Sequence, residues 1–89
     1  MGMPWSPMGA LHRINEDQYE VRDGETRVAI IRRVEIGHPA EWYWRSVTWD
    51  DDPAARSLLG YFPTLKFATY VTWRLWDQHG RVPVEEQYV

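Results

Sequence analysis

The most concentrated set of chemically reactive side chains is an acidic run in the middle of the chain. Asp50, Asp51 and Asp52 are consecutive and are followed by Pro53. Calcium loops of the EF-hand type need alternating oxygen ligands, a central glycine and a closing glutamate, and this run has none of that spacing. We therefore interpret it as a solvated turn whose last aspartate caps a short helical segment, and we predict no metal site here.

The histidines and serines show no catalytic spacing either. His12, His38 and His79 lie far apart in the sequence, and general acid–base catalysis needs a positioned partner. No serine stands in a nucleophile elbow, and the six scattered glycines form neither a Walker loop nor a dinucleotide fingerprint. Cysteine is absent, which excludes thiolate catalysis and cysteine zinc sites. The sequence predicts a non-enzymatic protein with no catalytic residues, no cofactor and no small-molecule substrate.

Aromatic residues are the unusual feature of this 89-residue chain, at 15% of its length. Each large ring can remove roughly 150–250 Å² from water, so the chain can bury a core and is not disordered as a whole. Trp42, Tyr43, Trp44 and Trp49 all fall in one predicted strand. Since alternate residues of a strand point to opposite faces, both faces of the sheet carry rings. A single helix covers only one of those faces.

Rings outside the predicted core indicate a contact surface, because Trp, Tyr and Arg are enriched at protein interfaces. We expect a protein partner or a homo-oligomer to cover them. In the alternative interpretation, Trp5 and Leu11 of the N-terminal segment fold back over the same rings. The predicted contact residues are Tyr43 and Trp49 on the strand and Tyr70 and Trp73 on the helix.

The charge distribution supplies a second hypothesis. The formal net charge is −3, which disfavours a nucleic-acid partner because binding to a polyanion comes largely from phosphate neutralisation. Residues 27–45 nevertheless hold four arginines and two glutamates, so that a local basic strip lies between acidic segments. The planar guanidinium group of arginine can donate two parallel hydrogen bonds to a phosphate or carboxylate group, whereas lysine offers a single point charge. The alternative function is therefore nucleic-acid binding through Arg27, Arg33 and Arg45.

The elements that must position these residues begin with a hairpin. Asp23 and Gly24 are typical of a tight turn between antiparallel strands. Apolar residues alternate through 27–36, with Arg32 as an exception in the apolar row, which indicates a bulge or an extended side chain. Residues 37–39 predict a turn, and 41–49 pair with the preceding strand. The pattern leaves open which face of 41–49 is buried.

The second half of the chain predicts the helix. Residues 53–59 favour a loop leading into a short strand around 59–62, with one or two helical turns as the alternative. Thr64 caps a helix over 65–79, and Gly80 ends it. The predicted core stripe of this helix consists of Leu65, Ala68, Val71, Thr72, Leu75 and Trp76.

The predicted fold class is α+β, an antiparallel sheet of two to four strands packed on one C-terminal helix. We expect a flexible N-terminal tail over 1–15, one domain over 16–81 and a C-terminal tail over 82–89. Three strands followed by the segment GYFPTLKFATYVTW resemble, in element order, AP2-like and double-stranded-RNA-binding-like domains. The AP2-like resemblance implies that Arg33 and Arg45, with Tyr43 or Trp49, face the DNA major groove from the outer face of the sheet.

Two further expectations concern origin and location. The N-terminus has no signal-peptide pattern, and no apolar run approaches the ~20 residues of a membrane span, so we expect a cytoplasmic protein with no membrane partner. Nine of the ten basic residues are arginine. This bias is typical of GC-rich genomes and resembles small proteins of actinobacteria and their phages, which suggests a phage-encoded or accessory regulator.

Overall fold

A computed structural model describes residues 6–81 of the chain. Its strands form one antiparallel sheet in the order β1-β2-β3-β4-β5, and the helix α1 follows the last strand. The predicted α+β class is confirmed, although the sheet has five strands instead of two to four. The elements are a 3-10 turn Pro7–Ala10, β1 Leu11–Asn15, β2 Gln18–Asp23, β3 Thr26–Ile36, β4 Glu41–Thr48, a 3-10 turn Pro53–Ala55, β5 Leu58–Phe62 and α1 Leu65–Gln78.

The first strand lies in the segment predicted to be a tail. Leu11 pairs opposite Val21 of β2 and packs against the core, whereas the rest of β1 is exposed. β1 is an edge strand that is held by backbone pairing, and only Leu11 of its side chains faces the core. Its sequence therefore lacks the alternation of apolar and polar residues that predicts a strand. Pro7 and Ala10 form a 3-10 turn directly before it. Trp5 and the predicted tail 82–89 lie outside the described residues.

A bulge in β3 changes the faces expected from simple alternation. Val21 lies opposite Ala29, but Arg22 lies opposite Arg27, so Val28 is the extra residue. Val28 is buried in the core with Ala29. The bulge therefore sends Val28 inward and turns Arg27 to the face opposite the helix. Simple alternation puts Val28 on the same face as Ile30, and that expectation was wrong because of the bulge.

The helix begins where the sequence predicted and ends one residue earlier. The Thr64 hydroxyl accepts a hydrogen bond from the Phe67 amide at 3.1 Å, and Gly80 follows the helix with a φ of +74°. The buried stripe differs from the predicted one. It includes Trp73, which lies four residues after Thr69 and three before Trp76 and so shares their face. The buried helix residues are Ala68, Thr69, Thr72, Trp73 and Trp76.

The core lies between this helix face and one side of the sheet. The residues of β4 that contact the helix identify the buried side of that strand. Ser46 of β4 and Thr72 of α1 are both fully buried, and their hydroxyl oxygens are 2.6 Å apart. Trp44 packs against the same core and meets Tyr19 edge-on, with ring centroids 5.7 Å apart. Tyr43, Arg45, Val47 and Trp49 therefore point to the opposite side, which we call the outer face of the sheet.

The segment between β4 and β5 combines the two structures predicted for it. Asp52 accepts a hydrogen bond from the Ala54 amide at 3.0 Å and caps the 3-10 turn Pro53–Ala55. The strand β5 follows as the favoured interpretation predicted. No helix within residues 6–81 has the length and apolar character needed to cross a bilayer.

Candidate binding surface

A row of four polar side chains crosses the outer face of the sheet. Gln18 lies opposite Arg32, Arg32 lies opposite Arg45, and Arg45 lies opposite Tyr61. Adjacent strands are about 4.8 Å apart, so directly opposed side chains are neighbours. Every member of this row can donate a hydrogen bond, and neither arginine can accept one. We call these four residues the donor row.

Beside the donor row the outer face is apolar and covered. Ile30 and Val47 lie opposite each other and are only 7% and 5% exposed although they face away from the helix. Pro53 and Arg56 of the β4–β5 loop lie beside them and form part of the same cleft. This cleft has a volume of about 180 Å³ and is lined by Gln18, Ile30, Arg32, Arg45, Val47, Pro53 and Arg56.

The two arginines of the donor row have no ionic partner. Within residues 6–81, no carboxylate oxygen lies within 4.0 Å of Arg32 or Arg45. Elsewhere on the same face, Arg22 and Arg27 share the buried Glu20, whose Oε1 is 2.7 Å and 3.3 Å from their Nε atoms. Like charges directly opposed on adjacent strands repel each other. The donor row is therefore a concentration of uncompensated positive charge.

Trp49 lies at the edge of this surface and contacts two arginines. The guanidinium carbons of Arg27 and Arg56 are each 4.5 Å from the ring centroid. Both contacts are cation–π interactions. Arg56 also donates from Nε to the Asp50 carbonyl at 3.0 Å. Trp49 thus helps to hold the β4–β5 loop against the sheet.

Two tyrosines complete the outer face. Tyr43 donates its hydroxyl hydrogen bond to Glu41 Oε2 at 2.7 Å. That hydrogen bond, together with the negative charge of Glu41, raises the pKa of Tyr43 above its ordinary value. Tyr61 is 46% exposed and stands next to Arg45 in the donor row. Sequence reasoning missed Tyr61, and pairing the predicted strand 59–62 with 41–49 was the signal that could have found it.

The three arginines of the nucleic-acid hypothesis do not converge. Arg27 and Arg45 lie on the outer face, but Arg33 lies opposite Trp44, on the helix side. Its guanidinium is 2.8 Å from Asp17 and 4.7 Å from the centroid of the Trp42 ring. The neighbouring Arg32 takes the outer position instead. In the sequence, Arg32 interrupts the alternating apolar residues Ile30 and Val34, and this was the signal that it lies on the same face as they do.

The predicted contact residues on the helix lie on the other side of the molecule. Tyr70 is 40% exposed, and its hydroxyl is 3.0 Å from the Ser6 hydroxyl. Trp73 is only 8% exposed and belongs to the core, with the Arg81 guanidinium 5.2 Å from its ring centroid. Tyr43 and Trp49 therefore share no surface with Tyr70 and Trp73. Tyr70 instead borders a separate groove lined by Pro7, Thr64, Lys66, Phe67, Tyr70, Val71, Trp73 and Arg74.

The part of the chain that the structure describes contains no group of three or more His, Asp or Glu side chains placed to hold a metal ion. Comparison of the chain with protein-family models, curated proteins and solved structures found no match.

Proposed function

We propose that this protein is a non-enzymatic binding module that acts through protein–protein contact, with the outer face of the sheet as its contact surface. The observation that carries the proposal is the pair Arg32 and Arg45, which are directly opposed and have no ionic partner among residues 6–81. The exposed ring of Tyr61 adjoins this pair. Arginine and tyrosine next to each other on an uncovered face are typical of interface residues.

The chemistry of the surface favours an acidic segment on the partner. A guanidinium group donates two parallel hydrogen bonds to a carboxylate, and such charge-assisted bonds are roughly twice as strong as neutral ones. Tyr61 supplies apolar area and a hydroxyl beside the arginines. The partner segment that fits is therefore one in which carboxylates alternate with apolar side chains.

A nucleic acid fits this surface less well. Affinity for a nucleic acid comes largely from neutralising many phosphates at once, which a chain of net charge −3 does poorly, whereas one carboxylate of a peptide needs only a local pair of arginines. Trp49 already contacts two arginines, which compete with a base for stacking on its ring. Two uncompensated arginines provide few phosphate contacts. These features support a protein as the partner.

A symmetric dimer centred on the donor row is also disfavoured. A two-fold axis through Arg32 and Arg45 brings the same two residues of a second copy against them. Four guanidinium groups then meet with no carboxylate between them, and like charges across an interface cost several kcal/mol by general experience. The proposed partner is therefore a different chain.

The test is a titration of the full chain followed by backbone amide NMR signals. The ligands are a short glutamate-rich peptide containing leucines, its glutamine counterpart, and duplex and single-stranded oligonucleotides at low salt. We expect saturable shifts in β3, β4 and β5 with the glutamate peptide. Tighter binding of an oligonucleotide at the same residues would replace this proposal with the nucleic-acid one. An outer face that responds to none of the ligands would overturn both.

A further inference from the structure

We propose that the cleft beside the donor row is an oxyanion site, in which Arg32 and Arg45 hold one carboxylate or phosphoryl group between them. The inference deepens the proposed function and rests on it for the source of the group, which is an acidic side chain of the partner. The site itself is defined by this chain alone and can be tested without the partner.

The first argument is the placement of the two arginines. Directly opposed residues on adjacent antiparallel strands have Cβ atoms about 5 Å apart. Arg32 and Arg45 hold this relation, and both side chains leave the same face of the sheet. Each guanidinium is a planar fork of donors that stays charged at all ordinary pH values. One oxyanion between the two guanidinium groups can accept hydrogen bonds from both, and its negative charge offsets the repulsion between them.

The second argument is the shape of the cleft. Its volume of about 180 Å³ is below the roughly 300–1,000 Å³ of pockets that enclose whole small molecules. One oxyanion at the end of a side chain is therefore the expected occupant. The buried Ile30 and Val47 form an apolar wall on one side of the cleft. Arg56 adds a third positive charge at the rim.

The third argument is that the nearby carboxylates are engaged elsewhere. Glu20 is held by two other arginines, and Glu41 accepts the hydrogen bond of Tyr43. Asp50 and Asp52 each accept a backbone amide of their own loop, at 2.9 Å and 3.0 Å. None of these oxygens comes within 4.0 Å of the donor-row arginines. Residues 6–81 therefore supply no anion that compensates Arg32 and Arg45.

The experiment measures the affinity of the full chain for inorganic phosphate and for acetate by amide NMR shifts, at constant ionic strength. The variants are Arg32→Gln and Arg45→Gln, with Arg74→Gln as the matched control on the exposed side of the helix. We expect each outer-face variant to lose about tenfold or more in phosphate affinity, as removal of a charge-assisted hydrogen bond does. The control should keep the wild-type affinity. Melting curves of the three variants confirm that each is folded.

The outcomes separate the site from the proposed function. Equal phosphate affinities in all three variants would mean ordinary ion binding and overturn the oxyanion site. Equal binding of the glutamate and glutamine peptides to the outer face would overturn an acidic side chain of the partner as the source of the group, while leaving the protein-contact function intact. Arginine-dependent phosphate binding without any peptide binding would support the site and overturn the protein segment as its source.

Discussion

The hydroxyl groups of Ser46 on β4 and Thr72 on α1 meet across the core at an oxygen–oxygen distance of 2.6 Å. Both residues are fully buried, so this hydrogen bond links the sheet to the helix within the core. It turns Ser46 inward, and the alternation of β4 then turns Arg45 outward. The orientation of the donor row thus depends on how the strand is anchored to the helix.

Breaking this contact from one side should be costlier than removing it altogether. Thr72→Val leaves the Ser46 hydroxyl buried without a partner, which should lower the free energy of unfolding by about 1–3 kcal/mol. The double variant Ser46→Ala with Thr72→Val removes both polar groups and should recover most of that loss. Urea unfolding of the wild type, both single variants and the double variant measures this coupling. Additive losses in the double variant would contradict the hydrogen bond as described.

Alanine variants of Trp73 and Tyr70 should differ in stability, because Trp73 packs in the core and Tyr70 lies on the surface. Trp73 lies in the core, so Trp73→Ala should lower the free energy of unfolding by about 3–5 kcal/mol. Tyr70 is exposed, and Tyr70→Ala should cost below about 1 kcal/mol. Denaturant unfolding measures both variants. If Trp73→Ala were as stable as the wild type, the helix would present a different face to the sheet.

The Tyr43 phenol supplies a pH-dependent signal. Its hydrogen bond to Glu41 and the charge of that carboxylate favour the protonated phenol and raise the Tyr43 pKa. The stabilisation is therefore fully present below the ordinary tyrosine pKa of about 10 and is lost as pH rises through the folded value. Glu41→Ala should lower the Tyr43 pKa towards that ordinary value. NMR titration of the ring signals measures it, and an unchanged pKa in the variant would contradict the contact.

Local signals predicted the helix and the β3–β4 hairpin well. The Thr64 side chain accepts the Phe67 amide hydrogen bond at the start of the helix, and Gly80 takes a left-handed backbone conformation after its end. Both signals are encoded within a few residues. The assignment of Trp73 to the outside of the helix failed because a wide apolar stripe can be centred on either side of Thr72. Only packing against the sheet decides between the two.

The candidate binding surface was less accessible to sequence reasoning because it depends on pairing between strands. The turn between Ile36 and Glu41 brings Arg32 opposite Arg45, a relation that neither strand shows by itself. The bulge at Val28 moves Arg27 to the outer face, and bulges arise from the register with a partner strand. The alternation of the strand does not show which of the neighbouring Arg32 and Arg33 faces outward, because that depends on which side the helix covers.

The most direct test of the outer face as the contact surface compares two charge reversals on opposite sides of the molecule. Arg45→Glu reverses a charge in the donor row, and Lys66→Glu reverses one beside Tyr70 in the groove on the helix. Affinity for the glutamate-rich peptide, measured by calorimetry, should fall by about tenfold or more in Arg45→Glu and stay at the wild-type value in Lys66→Glu. Wild-type affinity in Arg45→Glu with a loss in Lys66→Glu would contradict the account and assign binding to the helix groove.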